Sequence, residues 1–192
     1  MSKKIFILIF LYFFSTISVR ADNIKDFQIE GISVGESLLK YYSKDFIENR
    51  KKYFYPKSDK YYRINTGREV KFNTYEAVQF QLLKNDKNYI IYSVSGLILY
   101  EENIEECYEF KKNIVDDLKS QLPNTRSNNE TSKHNYDETG KSTVNRHTFW
   151  LDSGGIITVK CSDWNEDLPM ADKLSVVITS KELLNFLQNE AY

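Results

Sequence analysis

HTFWLDSGGIITVKCSDW, residues 147–164, holds two runs rich in aromatic and β-branched residues on either side of Asp152-Ser153-Gly154-Gly155. Glycines supply the positive φ that a tight reversal demands, so the stretch reads as a β-hairpin. Side chains in a strand alternate between its faces. The second arm therefore puts Ile157, Val159 and Cys161 on one face and Ile156, Thr158, Lys160 and Ser162 on the other. One of the chain's two cysteines thus points the same way as two core-forming residues.

The second cysteine lies on a segment of helical period. Asn103 with Glu106 three residues on suits a helix start, Pro123 sets the far limit, and Ile104, Cys107, Ile114, Leu118 and Leu122 fall on one stripe. A helix laid over the hairpin's apolar face brings Cys107 to Cys161, and we expect a disulfide between them. A bridge across a 54-residue separation stabilises by about 4 kcal/mol in the chain-entropy picture.

Elsewhere the chain alternates between strand and helix signals. DFQIEG (26–31) reads as a short strand. Ser33-Val34-Gly35-Glu36 has the spacing of a capping box, followed by a helix carrying Leu38, Leu39, Tyr42, Phe46 and Ile47, with a break at Ser43. Residues 51–60, around Pro56, read as a loop that leads to a strand at 61–65. AVQFQLLK (77–84) and YIIYSVSGLILY (89–100) read as a hairpin turning on 85–88, with Gly96 marking a bulge or close contact in a central strand. Residues 125–145 are polar and aperiodic and are expected to form a mobile loop. LSVVIT (174–179) reads as a last strand, and Ser180 as the cap of a final helix over 181–188. The predicted fold is α+β: an antiparallel sheet of about six strands with two to three helices mainly on one face.

Residues 1–21 read as a secretory signal peptide. A basic start, Lys3-Lys4, precedes an apolar run at 5–14, and Val19-Arg20-Ala21 offers a cleavage site after Ala21. Residues 5–19 are too short to span a bilayer, which takes about 20 apolar residues. Residues 22–192 then form a single domain. Removing Lys3, Lys4 and Arg20 from the 26 basic residues leaves 23 against 27 acidic, a net charge of about −4 with no basic block, which excludes nucleic acid as a partner. In an oxidising compartment two cysteines pair.

Several fragments mimic catalytic motifs and fail on their partners. Asp152-Ser153-Gly154-Gly155 has the look of a serine-protease nucleophile turn, but His147 is its only nearby base and sits on the same hairpin. Thr139-Gly140-Lys141-Ser142 ends like a phosphate loop but has Asn135 where the first glycine belongs. Asp163, Asn165 and Asp167 open like a calcium loop, yet Leu168 and Leu174 replace its glycine and closing glutamate. His134, Asp137 and His147 have spacings that match no zinc-ligand pattern. The stronger binding candidate is the aromatic cluster Tyr53, Phe54, Tyr55, Tyr61 and Tyr62, interleaved with Lys51, Lys52, Lys57 and Lys60.

FQIEGISVGESLLKYYS, AVQF, YIIYSVSG, FWLDSGG and Cys161-Ser162-Asp163-Trp164 together resemble a family of small exported proteins of Pelagibacter-type alphaproteobacteria. The resemblance spans most of residues 22–192 and implies a Gram-negative periplasmic address and a globular domain. It assigns no catalytic or ligand residue. The expected function is a non-catalytic binding or envelope-associated module whose partner is a protein or cell-envelope component, with no cofactor and no membrane span after cleavage. The alternative is a small periplasmic hydrolase using residues of the 125–147 stretch.

Overall fold

Alternation of apolar and polar side chains, read first in residues 147–164, runs through every central strand. The structure is a computed structural model that describes residues 23–100 and 103–192, so the signal peptide expected at 1–21 lies outside the described residues. Among the described residues there are ten strands: β1 Gln28–Ile29, β2 Ile32–Ser33, β3 Tyr53–Tyr55, β4 Ser58–Asn65, β5 Ala77–Leu83, β6 Ile91–Tyr100, β7 Arg126–Lys133, β8 Thr143–Trp150, β9 Ile156–Asp163 and β10 Asp172–Thr179. The first two form a separate small hairpin. The other eight make one antiparallel sheet in the order β3-β4-β5-β6-β10-β9-β8-β7.

β8 and β9 form the expected hairpin. Its reversal is closed by Leu151 N–H donating to the Gly155 carbonyl at 3.0 Å and Gly154 N–H donating to that of Leu151 at 2.8 Å, with Gly154 at φ +86°. Gly155 is needed for another reason: a Cβ there would stand 2.8 Å from the Thr179 carbonyl. Ile157, Val159 and Cys161 face the core in register with Ile178, Val176 and Leu174 of β10. That row continues through Val94, Phe80 and Ile64 on β6, β5 and β4. Each such fully buried side chain contributes about 1.5–3 kcal/mol through removal from water. β6 is central, as read, and Gly96 is a close contact: a Cβ there would lie 2.5 Å from the Tyr75 ring.

α1 Lys44–Glu48, α2 Ile104–Gln121 and α3 Lys181–Asn189 complete the fold. The Asn103 side chain caps α2 by accepting the Glu105 N–H, and Cys107, Val115, Leu118 and Leu122 bury its stripe against the core face. Cys107 and Cys161 are disulfide-bonded, with S–S 2.04 Å and Cα–Cα 6.1 Å.

Three expectations need correction. The sheet has eight strands rather than about six, the additions being the edges β3 and β7. The helices do lie mainly over one face, α1 and α2 on the core side, with Leu183 and Phe186 of α3 packing with Tyr61 on the other. The stretch 125–145, expected as a mobile loop, is instead edge strand β7, a turn at 134–142 and the start of β8. β7 lacks alternation because seven of its eight residues are exposed, so pairing with β8 alone makes it a strand. Finally, Ser33 does not cap a helix. Glu36 does accept the Ser33 N–H at 3.1 Å, but the Ser33 hydroxyl donates to the Lys25 carbonyl at 3.2 Å. Helical structure waits for Ser37, which caps a single 3-10 turn at Leu38–Lys40, and then Ser43, which caps α1 at the expected break.

Candidate functional site

The sheet's second face carries the polar half of the alternation. Gln79, Gln81, Ser95, Ser175, Lys160 and Lys173 project there from four strands, in the register that buries Val78, Phe80, Val94, Val176, Val159 and Leu174 on the other side. Solvent does not simply wash this face. The 134–142 turn brings His134 and Tyr136 over it, the segment after β9 brings Trp164, Leu168, Pro169 and Met170, and the chain end brings Tyr192. Floor and rim enclose a groove of about 610 Å³. That is a volume ordinary for a small-molecule site.

Charge in the groove is one-sided. Arg63, Lys160 and Lys173 line it, and no Asp or Glu side chain among the described residues does. Lys160 sits beside Arg146 of β8 and diagonally across from Lys173 of β10. Arg146 is answered by Glu130 at 3.0 Å and by the Ser132 hydroxyl at 2.9 Å. Lys173 lies 5.8 Å from the Trp164 ring centre. Lys160 Nζ has neither a hydrogen bond nor an ion pair among the described residues. Burial, and then the charges of Lys173, Arg146 and Arg63, push its ammonium down to about 8. Burial and Arg63 lower Lys173 as well. Burial lowers His134, aided by Lys160 and Lys173, which favours the neutral imidazole at pH 7.

Trp164 is the main aromatic wall. Its backbone N–H donates to Asp172 Oδ1 at 2.6 Å and its ring meets that of His134 at 3.8 Å between centres. The indole Nε1, buried, has no acceptor among the described residues. Gln81 gives its amide oxygen to the Tyr55 hydroxyl, which leaves its NH2 group free to donate.

The aromatic residues singled out from sequence divide between the two sheet faces, with Phe54 and Tyr62 meeting at 5.9 Å between ring centres and lining one pocket with Lys52. Tyr53 and Phe54 are exposed on edge strand β3, but Tyr61 and Tyr62 are buried, on opposite sides of β4, and Tyr55 is half-buried. The five therefore do not share a binding surface. Tyr61 is a core residue whose ring meets those of Tyr92 and Phe186 at 5.1 and 4.8 Å. We expect Tyr61→Ala to cost about 3–4 kcal/mol in urea unfolding and Phe54→Ala less than about 1 kcal/mol. Equal losses would restore the surface reading.

His134, Asp137 and His147 do not converge. His134 belongs to the groove, while His147 is buried beside Phe149, in the core-facing row of β8. Asp137 builds a turn: its carboxylate accepts the N–H and hydroxyl of both Thr139 and Ser142, which holds it well below the usual carboxylate range. Lys141 pairs with Asp167 at 3.3 Å, so the phosphate-loop and calcium-loop mimics supply an ion pair to each other. Among the described residues no group of three His, Cys, Asp or Glu side chains could hold a metal ion.

The sequence reading missed Lys160, Lys173, Arg63 and Trp164. One signal was available: a lysine in mid-strand, between Val159 and the core cysteine Cys161, on the face turned away from the core. Comparison with known protein families, with curated proteins and with solved structures finds no match.

Proposed function

We propose that this chain is an exported, non-catalytic binding module of the cell envelope, and that the groove over the second sheet face holds its ligand. The observation that carries this reading is the roof. A polar sheet face needs only water, yet three separate segments bring Tyr136, Trp164, Met170 and Tyr192 over it. Recognition surfaces place large aromatic side chains in this way because they supply contact area at little conformational cost.

Export is supported by the sequence of residues 1–21, by the Cys107–Cys161 disulfide, which belongs to oxidising compartments, and by the resemblance that implies a periplasmic address. Among the described residues no helix is long and apolar enough to cross a membrane. The hydrolase alternative requires His134, Asp137 and His147 to act together, and their separation gives it no support.

Native mass spectrometry of the protein isolated from its own cells tests the reading. The expected result is a chain that begins at residue 22 and carries a non-covalent small molecule, which Trp164→Ala loses while staying folded. A ligand-free natural protein, or a ligand retained in full by Trp164→Ala, would overturn it.

A further inference from the structure

We infer that the groove takes a small organic anion, a carboxylate or phosphate ester joined to a flat apolar body, with the charge held among Arg63, Lys160 and Lys173 and the body against Trp164. The inference rests on the groove being the ligand site and names what fits there.

The groove holds an unanswered charge. Lys160 is half-buried, flanked by three other cations, and has no acceptor or counter-ion among the described residues. A partly desolvated ammonium without a partner is costly, and several exposed cations of this chain do find carboxylates, Lys60 with Glu190 and Lys84 with Asp59 among them. An anion supplies the missing partner. A neutral ligand leaves Lys160 unsatisfied and a cation is repelled, so the groove discriminates by charge.

The remaining chemistry agrees. The Gln81 NH2 group is a donor without an acceptor among the described residues, as an anion needs. Ser95 and Ser175 add hydroxyls to the floor, and Met170 and Trp164 give an apolar wall for a ring. A volume of about 610 Å³ admits a small molecule rather than a protein segment. The groups that face Lys160 are Lys173 and Arg63 across the sheet, Arg146 with its partner Glu130 on one side, and His134, Tyr136 and Tyr192 at the rim. His134 is already lowered, so over pH 7–9 the titration that matters is that of Lys160.

The test uses the oxidised full chain carrying Trp150→Phe, so that fluorescence reports Trp164 alone. Benzoate, phenyl phosphate and uncharged benzamide are the probes. Benzoate, phenyl phosphate or both should quench Trp164 saturably at pH 7, with benzamide at least about tenfold weaker, and Lys160→Met should weaken the anions at least about tenfold. Anion affinity should also fall about tenfold between pH 7 and 9.5 as Lys160 loses its proton. Binding by benzoate alone assigns a carboxylate and by phenyl phosphate alone a phosphate ester. Benzamide binding as tightly as benzoate, anion binding unchanged in both Lys160→Met and Lys173→Met, or no response from any probe up to about 10 mM overturns the anion. None of these touches the proposed function, which falls if the natural protein carries no ligand or if Trp164→Ala keeps that ligand in full.

Discussion

Replacing Cys107 and Cys161 together by alanine is expected to lower the unfolding free energy by about 4 kcal/mol, which for a chain of this size is about 10 °C in melting temperature. The bond joins residues 54 apart, so it closes a loop that contains most of α2, all of β7 and β8, and the first part of β9. Without it the unfolded chain regains that loop's entropy, while the folded chain keeps nearly every other contact. α2 also depends on the bond more than a helix with an uninterrupted apolar stripe would. Between Cys107 and Val115 its buried face carries Lys111, whose ammonium donates to the side-chain oxygens of Asn129 and Asn145 in the space under the sheet's polar edge. Urea unfolding of the double variant, and of the natural sequence with and without reductant, measures the loss. A change below about 1 kcal/mol in both would show that packing alone holds α2 in place.

Lys160→Met is expected to act in the opposite direction and raise stability at pH 7 by up to about 3 kcal/mol. Burial and three neighbouring cations lower this ammonium to about 8 in the folded protein from 10.5, so between those two values the unfolded chain binds the extra proton. Stability of the natural sequence therefore rises with pH across that window. The full penalty is present below about 8 and fades towards 10.5. Methionine keeps most of the stem's apolar area and removes the charge, so the variant should lose this part of the pH dependence, and the two stability curves should converge as pH rises. Lys173, lowered by burial and Arg63, adds a weaker slope of the same sign that the variant retains. Tyr55 and Tyr192, whose hydroxyls burial pushes up, oppose it only above pH 10. Urea midpoints at pH 7, 8, 9 and 10 separate these contributions. A variant less stable than the natural sequence at pH 7 would mean that Lys160 has a partner when folded, and the case for an unanswered charge would fail. The same substitution should weaken anion binding at least about tenfold, so stability and function would move in opposite directions at one residue.

The parts of the fold legible from sequence are those with one wet and one dry face. β9, with Ile157, Val159 and Cys161 alternating against polar residues, and α2, with Cys107, Leu118 and Leu122 on one stripe, announce both their type and their buried side. Hence the disulfide could be expected from the two patterns together. The edge strands could not. Residues 126–133, RSNNETSK, have no dry face, and residues 53–55 sit beside Pro56 in what reads as a loop. Their strand geometry comes from hydrogen bonds to β8 and β4, partners that local composition does not name.

The candidate site was hidden for a related reason. Alternation places Lys160 opposite Cys161, but whether that second face meets water or a roof depends on where residues 134–136, 164–170 and 192 travel, and those segments carry no periodicity. By itself the amino-acid order determined the strand-and-helix currency of the central sheet, its dry side and the cysteine pairing, because burial imprints a period on the residues that undergo it. Tertiary structure alone decided the two sheet edges, the placement of α3 on the opposite face and the gathering of Arg63, Lys160 and Lys173 under Trp164. Those depend on contacts between residues far apart in the chain, and such contacts leave no local pattern to read.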